Sequence, residues 1–80
     1  MELNQILEEL NEVFIDVLDN EEIVLKEETT AHDIEEWDSL SHIMLIVNIE
    51  KKYKIKFTSI EIAGFKNIGE LAKTIKQKLD

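Results

Sequence analysis

The chain has no cysteine, no proline and no arginine among its 80 residues, and only two glycines, Gly64 and Gly69. Each absence excludes something. Without cysteine there is no disulfide, no thiolate metal site and no thiol nucleophile. Without proline, and with so little glycine, hardly anything interrupts a helix. Glu, Lys, Leu and Ile fill the space, and that mixture predicts an all-α domain. No apolar run approaches the roughly 20 residues that a membrane span needs. A chain of 80 residues makes one domain with a modest core.

Positive charge is scarce too. Nine lysines face 18 acids, for a net charge of −9. Residues 1–50 hold 15 acids and the single Lys26, a balance of −14, whereas residues 51–80 hold 3 acids and 8 lysines, a balance of +5. Nucleic acid is excluded as a partner, because phosphate binding needs clustered cations. The acidic part is suited to steering basic partner surfaces, unless it serves only as a solvated face. The opening stretch MELNQILEEL is acidic and amphipathic, unlike a signal or transit peptide, so the expected location is cytoplasmic.

Apolar residues then set the elements. Leu3, Ile6, Leu7, Leu10, Val13, Phe14, Val17 and Leu18 recur every three or four positions and predict a first helix from Glu2 to about Leu18. Residues 19–36 form a long connection that Ile23 and Leu25 pin to the core, with a helical turn opened by Thr30 and Asp33. Loops this long are often functional. A second helix runs from Asp38–Ser39 to Tyr53. Its apolar arc is wide enough for a central position or for an exposed edge. Ile55 and Phe57 turn inward from an extended connector. Thr58–Glu61 opens a short third helix that Gly64 ends, and Asn67 caps the last helix. Ile68, Leu71, Ala72, Ile75 and Leu79 line the inner face of that helix. The expected fold is a four-helix bundle of three main helices and one short one, with a long first loop. Its core combines Ile6, Leu10, Phe14, Leu40, Val47, Leu71 and Ile75.

The chemistry points to Trp37-Asp38-Ser39-Leu40, where the long loop meets the second helix. A serine there sits by the unpaired N–H groups of a helix start, which favour an attached anion, above all a phosphate. Asp38 caps the turn, and Leu40 is expected to anchor it in the core. By itself the tripeptide is also ordinary capping chemistry.

Its setting is more specific. Asp38-Ser39-Leu40 opens an apolar-rich helix that ends in Glu50-Lys51-Lys52-Tyr53, a short helix follows, and Ile68-Gly69-Glu70-Leu71 begins the last one. In this layout the chain resembles the acyl carrier proteins, over its whole length in arrangement and between Glu36 and Leu71 in motif. The resemblance implies that a phosphopantetheinyl transferase converts the Ser39 hydroxyl into a phosphodiester bearing 4'-phosphopantetheine, flanked by Asp38 and Leu40. The distal thiol of that arm would hold acyl cargo as a thioester for acyl-loading and acyl-transfer enzymes. A reactive sulfur would thus come from the cofactor, and the protein, a non-enzymatic monomer, would supply mobility and recognition.

One departure from the family is visible. Members often carry several acids on the second helix, whereas here Ser41, His42 and Asn48 take polar positions and the acids Glu35, Glu36 and Asp38 come before it. A dedicated pathway is therefore expected, with Glu35, Glu36, Trp37, His42, Ile43 and Met44 as candidate partner contacts. Trp37 either covers the core or shows an edge to a partner, and His42 touches the arm's phosphate or a partner unless it is a plain exposed helix residue. A cleft near Leu40, Ile43, Ile60 and Ile62 is expected to shelter cargo. The same layout fits a D-alanyl, aminoacyl or peptidyl carrier, and an unmodified helical interaction module stands as the reading from another class. A hydrolase is excluded: no Gly-x-Ser-x-Gly elbow is present and the chain has little room for a substrate pocket. No metal is expected, since His32 has no partner ligand at a suitable spacing and the loop acids lack the EF-hand pattern.

Overall fold

In the computed structural model, which describes residues Met1–Asp80, four α-helices and one 3₁₀ turn follow in order. They are α1 (Leu3–Leu18), the turn Ala31–Asp33, α2 (Ser39–Tyr53), α3 (Ser59–Gly64) and α4 (Ile68–Leu79). Helix α1 is the hub and packs on both α2 and α4. Its buried stripe, Ile6, Leu10, Phe14 and Leu18, follows the predicted spacing. Leu45, Ile46 and Ile49 reach it from α2, and Ile68, Leu71, Ala72 and Ile75 from α4.

Helix directions follow from contacts at the two ends. Phe14, late in α1, meets Trp37 just before α2 at 5.1 Å between ring centroids. The Tyr53 hydroxyl, at the far end of α2, donates to Glu9 Oε1 at 2.7 Å. Helices α1 and α2 are therefore antiparallel. Lys76 Nζ donates to the Met1 carbonyl at 2.8 Å, and the Met1 ammonium lies 3.7 Å from Asp80, so α4 is antiparallel to α1 as well. The starts of α2 and α4 share one end of the bundle, and the chain termini share the other.

The long loop is tied down at three places. Asn11 Oδ1 accepts from the Leu25 N–H, and its Nδ2 donates to the Ile23 carbonyl at 3.1 Å. Ile23 and Leu25 are buried, as expected. Thr30 and Asp33 form a full capping box, with Thr30 N–H donating to Asp33 Oδ2 at 2.9 Å. Beyond it, the first N–H groups of α4 bind the loop backbone: Ile68 donates to Thr29 O at 2.9 Å and Gly69 to Glu27 O at 2.8 Å. A Cβ on Gly69 would stand 3.0 Å from that Glu27 oxygen. Gly69 is thus set by close approach of two backbones.

Several expectations need correction. Leu40 and Val47 lie outside the core, 74% and 41% exposed, because α2 buries its opposite arc through Leu45, Ile46 and Ile49. Leu79 is the last residue of α4 and is also exposed. Gly64 is the last residue of α3 but keeps a negative φ, and Phe65 leaves in an extended conformation. The left-handed C-caps belong instead to Asp19 (φ 54°) and Lys54 (φ 57°), where no glycine marks the stop.

Candidate functional site

Ser39 is the first residue of α2 and is exposed. The helix start beside it is satisfied by its neighbours. Asp38 Oδ1 accepts from the Ser41 N–H at 2.9 Å, and Ser41 Oγ accepts from the Asp38 N–H at 2.8 Å. Ser41 Oγ also donates to the Glu36 carbonyl at 2.8 Å. This reciprocal box fixes the backbone on both sides of Ser39 while taking no hydrogen bond from its hydroxyl. The Ser41 N–H, foremost, and the Ser41 hydroxyl hold the Asp38 carboxyl below its ordinary range, so it stays charged.

Behind the cap lies a relay of rings. Trp37 is buried and meets Phe14 edge-on at 87°. Its indole Nε1–H donates to His42 Nδ1 at 3.0 Å. With Nδ1 accepting, the imidazole proton belongs on Nε2, which donates to the Ile62 carbonyl of α3 at 2.9 Å. His42 is half-buried and both of its ring nitrogens are committed. It is not the freely exposed helix histidine that spacing allowed, and Trp37 faces the core.

A cavity of about 490 Å³ opens directly at Ser39. Trp37, Ala31 and Phe65 give it an apolar floor, and Thr30, His32, His42 and Lys66 stand around it. It lies between the loop and the α3–α4 turn, away from the expected cleft at Leu40, Ile43, Ile60 and Ile62. There Leu40, Ile43 and Ile60 point outward, and Ile62 is tied to His42. The Ser39 hydroxyl is thus unobstructed and stands beside a hollow of ligand size.

The remaining candidates divide by place. Leu40, Ile43, Met44 and Val47 form one exposed apolar stripe running along α2 from Ser39. Glu35 and Glu36 are exposed at its entrance, with Asn20 Nδ2 donating to Glu36 Oε2 at 3.1 Å. Glu36 therefore leans back toward the loop. Ser41 and Lys66 were not among the residues read from sequence. Ser41 has a legible signal, three positions after the Asp38 cap. Lys66 has none, because only the fold brings the α3–α4 turn to Ser39.

The family model described as "Phosphopantetheine attachment site" matches residues 8–75. A solution structure of holo acyl carrier protein from Geobacter metallireducens is similar at 49% identity and a TM-score of 0.86, covering 91% of this chain and 84% of that one. No curated protein matches.

Proposed function

Since this chain belongs to the phosphopantetheine-bearing acyl carrier proteins, we propose that Ser39 is the residue to which its 4'-phosphopantetheine is joined. The observation that carries the assignment is the exposed Ser39 at the start of α2, next to a cap completed by Asp38 and Ser41 alone. On modification the Ser39 oxygen loses its proton and bonds to the phosphorus that coenzyme A provides, and the nucleotide part leaves. When bound, the group supplies a thiol that holds acyl cargo as a thioester. Asp38 keeps the helix start rigid, Leu40 begins the outward stripe, and the α2 N-terminus favours the phosphodiester charge.

The chain carries cargo without transforming it. A serine nucleophile needs a base aimed at it; His42 has both nitrogens engaged elsewhere, and His32, on the rim of the hollow, is exposed and makes no hydrogen bond to Ser39. We assign the partners to a cytoplasmic phosphopantetheinyl transferase and to loading and transfer enzymes of a dedicated pathway. Such enzymes would read the apolar stripe Leu40, Ile43, Met44 and Val47 of a monomer, entered past Glu35 and Glu36, in place of an acid-lined helix.

The test is an intact mass after incubation with a broad-specificity transferase and coenzyme A. The parent and Ser41→Ala each gain one phosphopantetheine, and Ser39→Ala gains none. Modification of Ser39→Ala would move the attachment site elsewhere.

A further inference from the structure

Helix α3 has only six residues and buries none of them; Ile60, at its centre, is 85% exposed. A helix of that length does not hold itself. Its outer side is tied to α4 by the Glu61–Lys78 ion pair at 3.0 Å, which is partly exposed and screened by water. On its inner side Ile62 is half-buried against the core, and the polar tie of α3 to α2 is the His42 Nε2–H bond to the Ile62 carbonyl. That bond is braced from behind, because the same ring accepts from Trp37, which is locked against Phe14. Swinging α3 away therefore takes His42 with it or breaks the bond. If the ring moves, a buried indole N–H loses its acceptor.

We propose that His42 is a positioning residue that clasps α3 to the start of α2 and keeps the seam between the two helices shut against short cargo. Resting on the assignment of the arm to Ser39, the proposal says where that cargo goes. A short or polar acyl group stays outside the packed fold, in the open hollow beside Ser39. An aliphatic chain enters only by displacing the clasp, so chain length is discriminated by His42. The polar surroundings of the hollow, Thr30, His32 and Lys66 among them, suit such a group better than a long alkyl tail.

Amide hydrogen exchange on the unmodified chain reads the clasp directly. In His42→Ala, exchange at the Ile62 amide, which bonds to Thr58 O, rises about tenfold, while the α1 amides of Leu10 and Phe14 keep their rates. Unchanged exchange at Ile62 overturns the proposal. If His42→Ala loosens the whole domain, Trp37→Phe decides: it keeps an aromatic ring but removes the donor, and a smaller rise confined to α3 is expected. No rise there is equally fatal.

A second readout uses the loaded arm, with acetyl and octanoyl thioesters cleaved by neutral hydroxylamine. In the parent the octanoyl ester cleaves more slowly than the acetyl ester, and in His42→Ala it becomes several-fold slower again as its tail gains freer entry, while the acetyl rate holds. An octanoyl ester protected to the same degree in the parent and in His42→Ala would show that His42 is no clasp. Intact mass reports loading separately. A chain that takes no arm defeats the carrier assignment, and the exchange data still judge the clasp.

Discussion

Asn11 shows how much one side chain holds. It sits on α1 beside the buried Leu10, yet it satisfies two backbone groups of a loop that begins about two turns later. Asn11→Ala leaves the Leu25 N–H and the Ile23 carbonyl unpaired in a part-buried setting, a loss of about 1–3 kcal/mol. Urea unfolding with an unchanged m-value checks it; a loss below the error of the fit would mean that water replaces the amide. Such roles are hard to read from a sequence, since Asn11 looks like any polar residue on a helix flank. The place of Ser39 at a helix start was legible because helix capping is local, and Asp38 lies beside it. Leu40 was legible as to place and not as to burial. Periodicity shows that α2 has one wide apolar arc, and only packing on α1 decides which part of it is inside.

Helix ends carry the next set of consequences. Lys54 closes α2 with φ at 57°, a conformation that crowds a Cβ. Lys54→Gly should stabilise the domain by roughly 0.5–1 kcal/mol, because glycine adopts that backbone without strain. A fall in thermal midpoint would show that the lysine side chain contributes more than its backbone costs. One residue earlier, burial foremost, and then the Glu9 carboxylate it donates to, hold the Tyr53 phenol well above its ordinary range. The folded state thus favours the protonated phenol. This contribution is complete below the ordinary tyrosine range near pH 10 and is lost as pH rises beyond it. Tyr53→Phe should therefore flatten the alkaline limb of stability between about pH 10 and 12, and an unaltered limb would assign that loss to other groups. The capping boxes at Thr58 and the cap at Asn67 were readable from spacing. The ends of α1 at Leu18 and of α2 at Tyr53 were readable as well, but the left-handed caps Asp19 and Lys54 that form them were not, since no glycine announces them.

Charge is a property of the whole molecule. Its acidic first part includes the approach to Ser39 through Glu35, Glu36 and Asp38, whereas its later lysines lie largely at the end of α2, in the connector and on α4. A partner steered by this distribution should lose speed when the approach is reversed. For the double change Glu35→Lys and Glu36→Lys, association with the cognate loading enzyme should slow about tenfold at low salt, with the difference shrinking as salt rises. Stopped-flow rates at two ionic strengths decide it, and equal rates for parent and variant would leave recognition to the apolar stripe. The four-helix layout was readable from periodicity, because each main helix has a strong stripe or a clear cap. The hollow at Ser39 was not, as it is assembled from the loop, α2 and the α3–α4 turn.

The meeting of Met1 with Lys76 and Asp80 lies at the end of the bundle away from Ser39. Along a body with a longest extent of 31 Å, the two ends divide the labour. A bead, a linker or a fused domain joined at either terminus holds the molecule by its base. The serine then faces outward, and one anchoring chemistry serves for fusion and for surface capture.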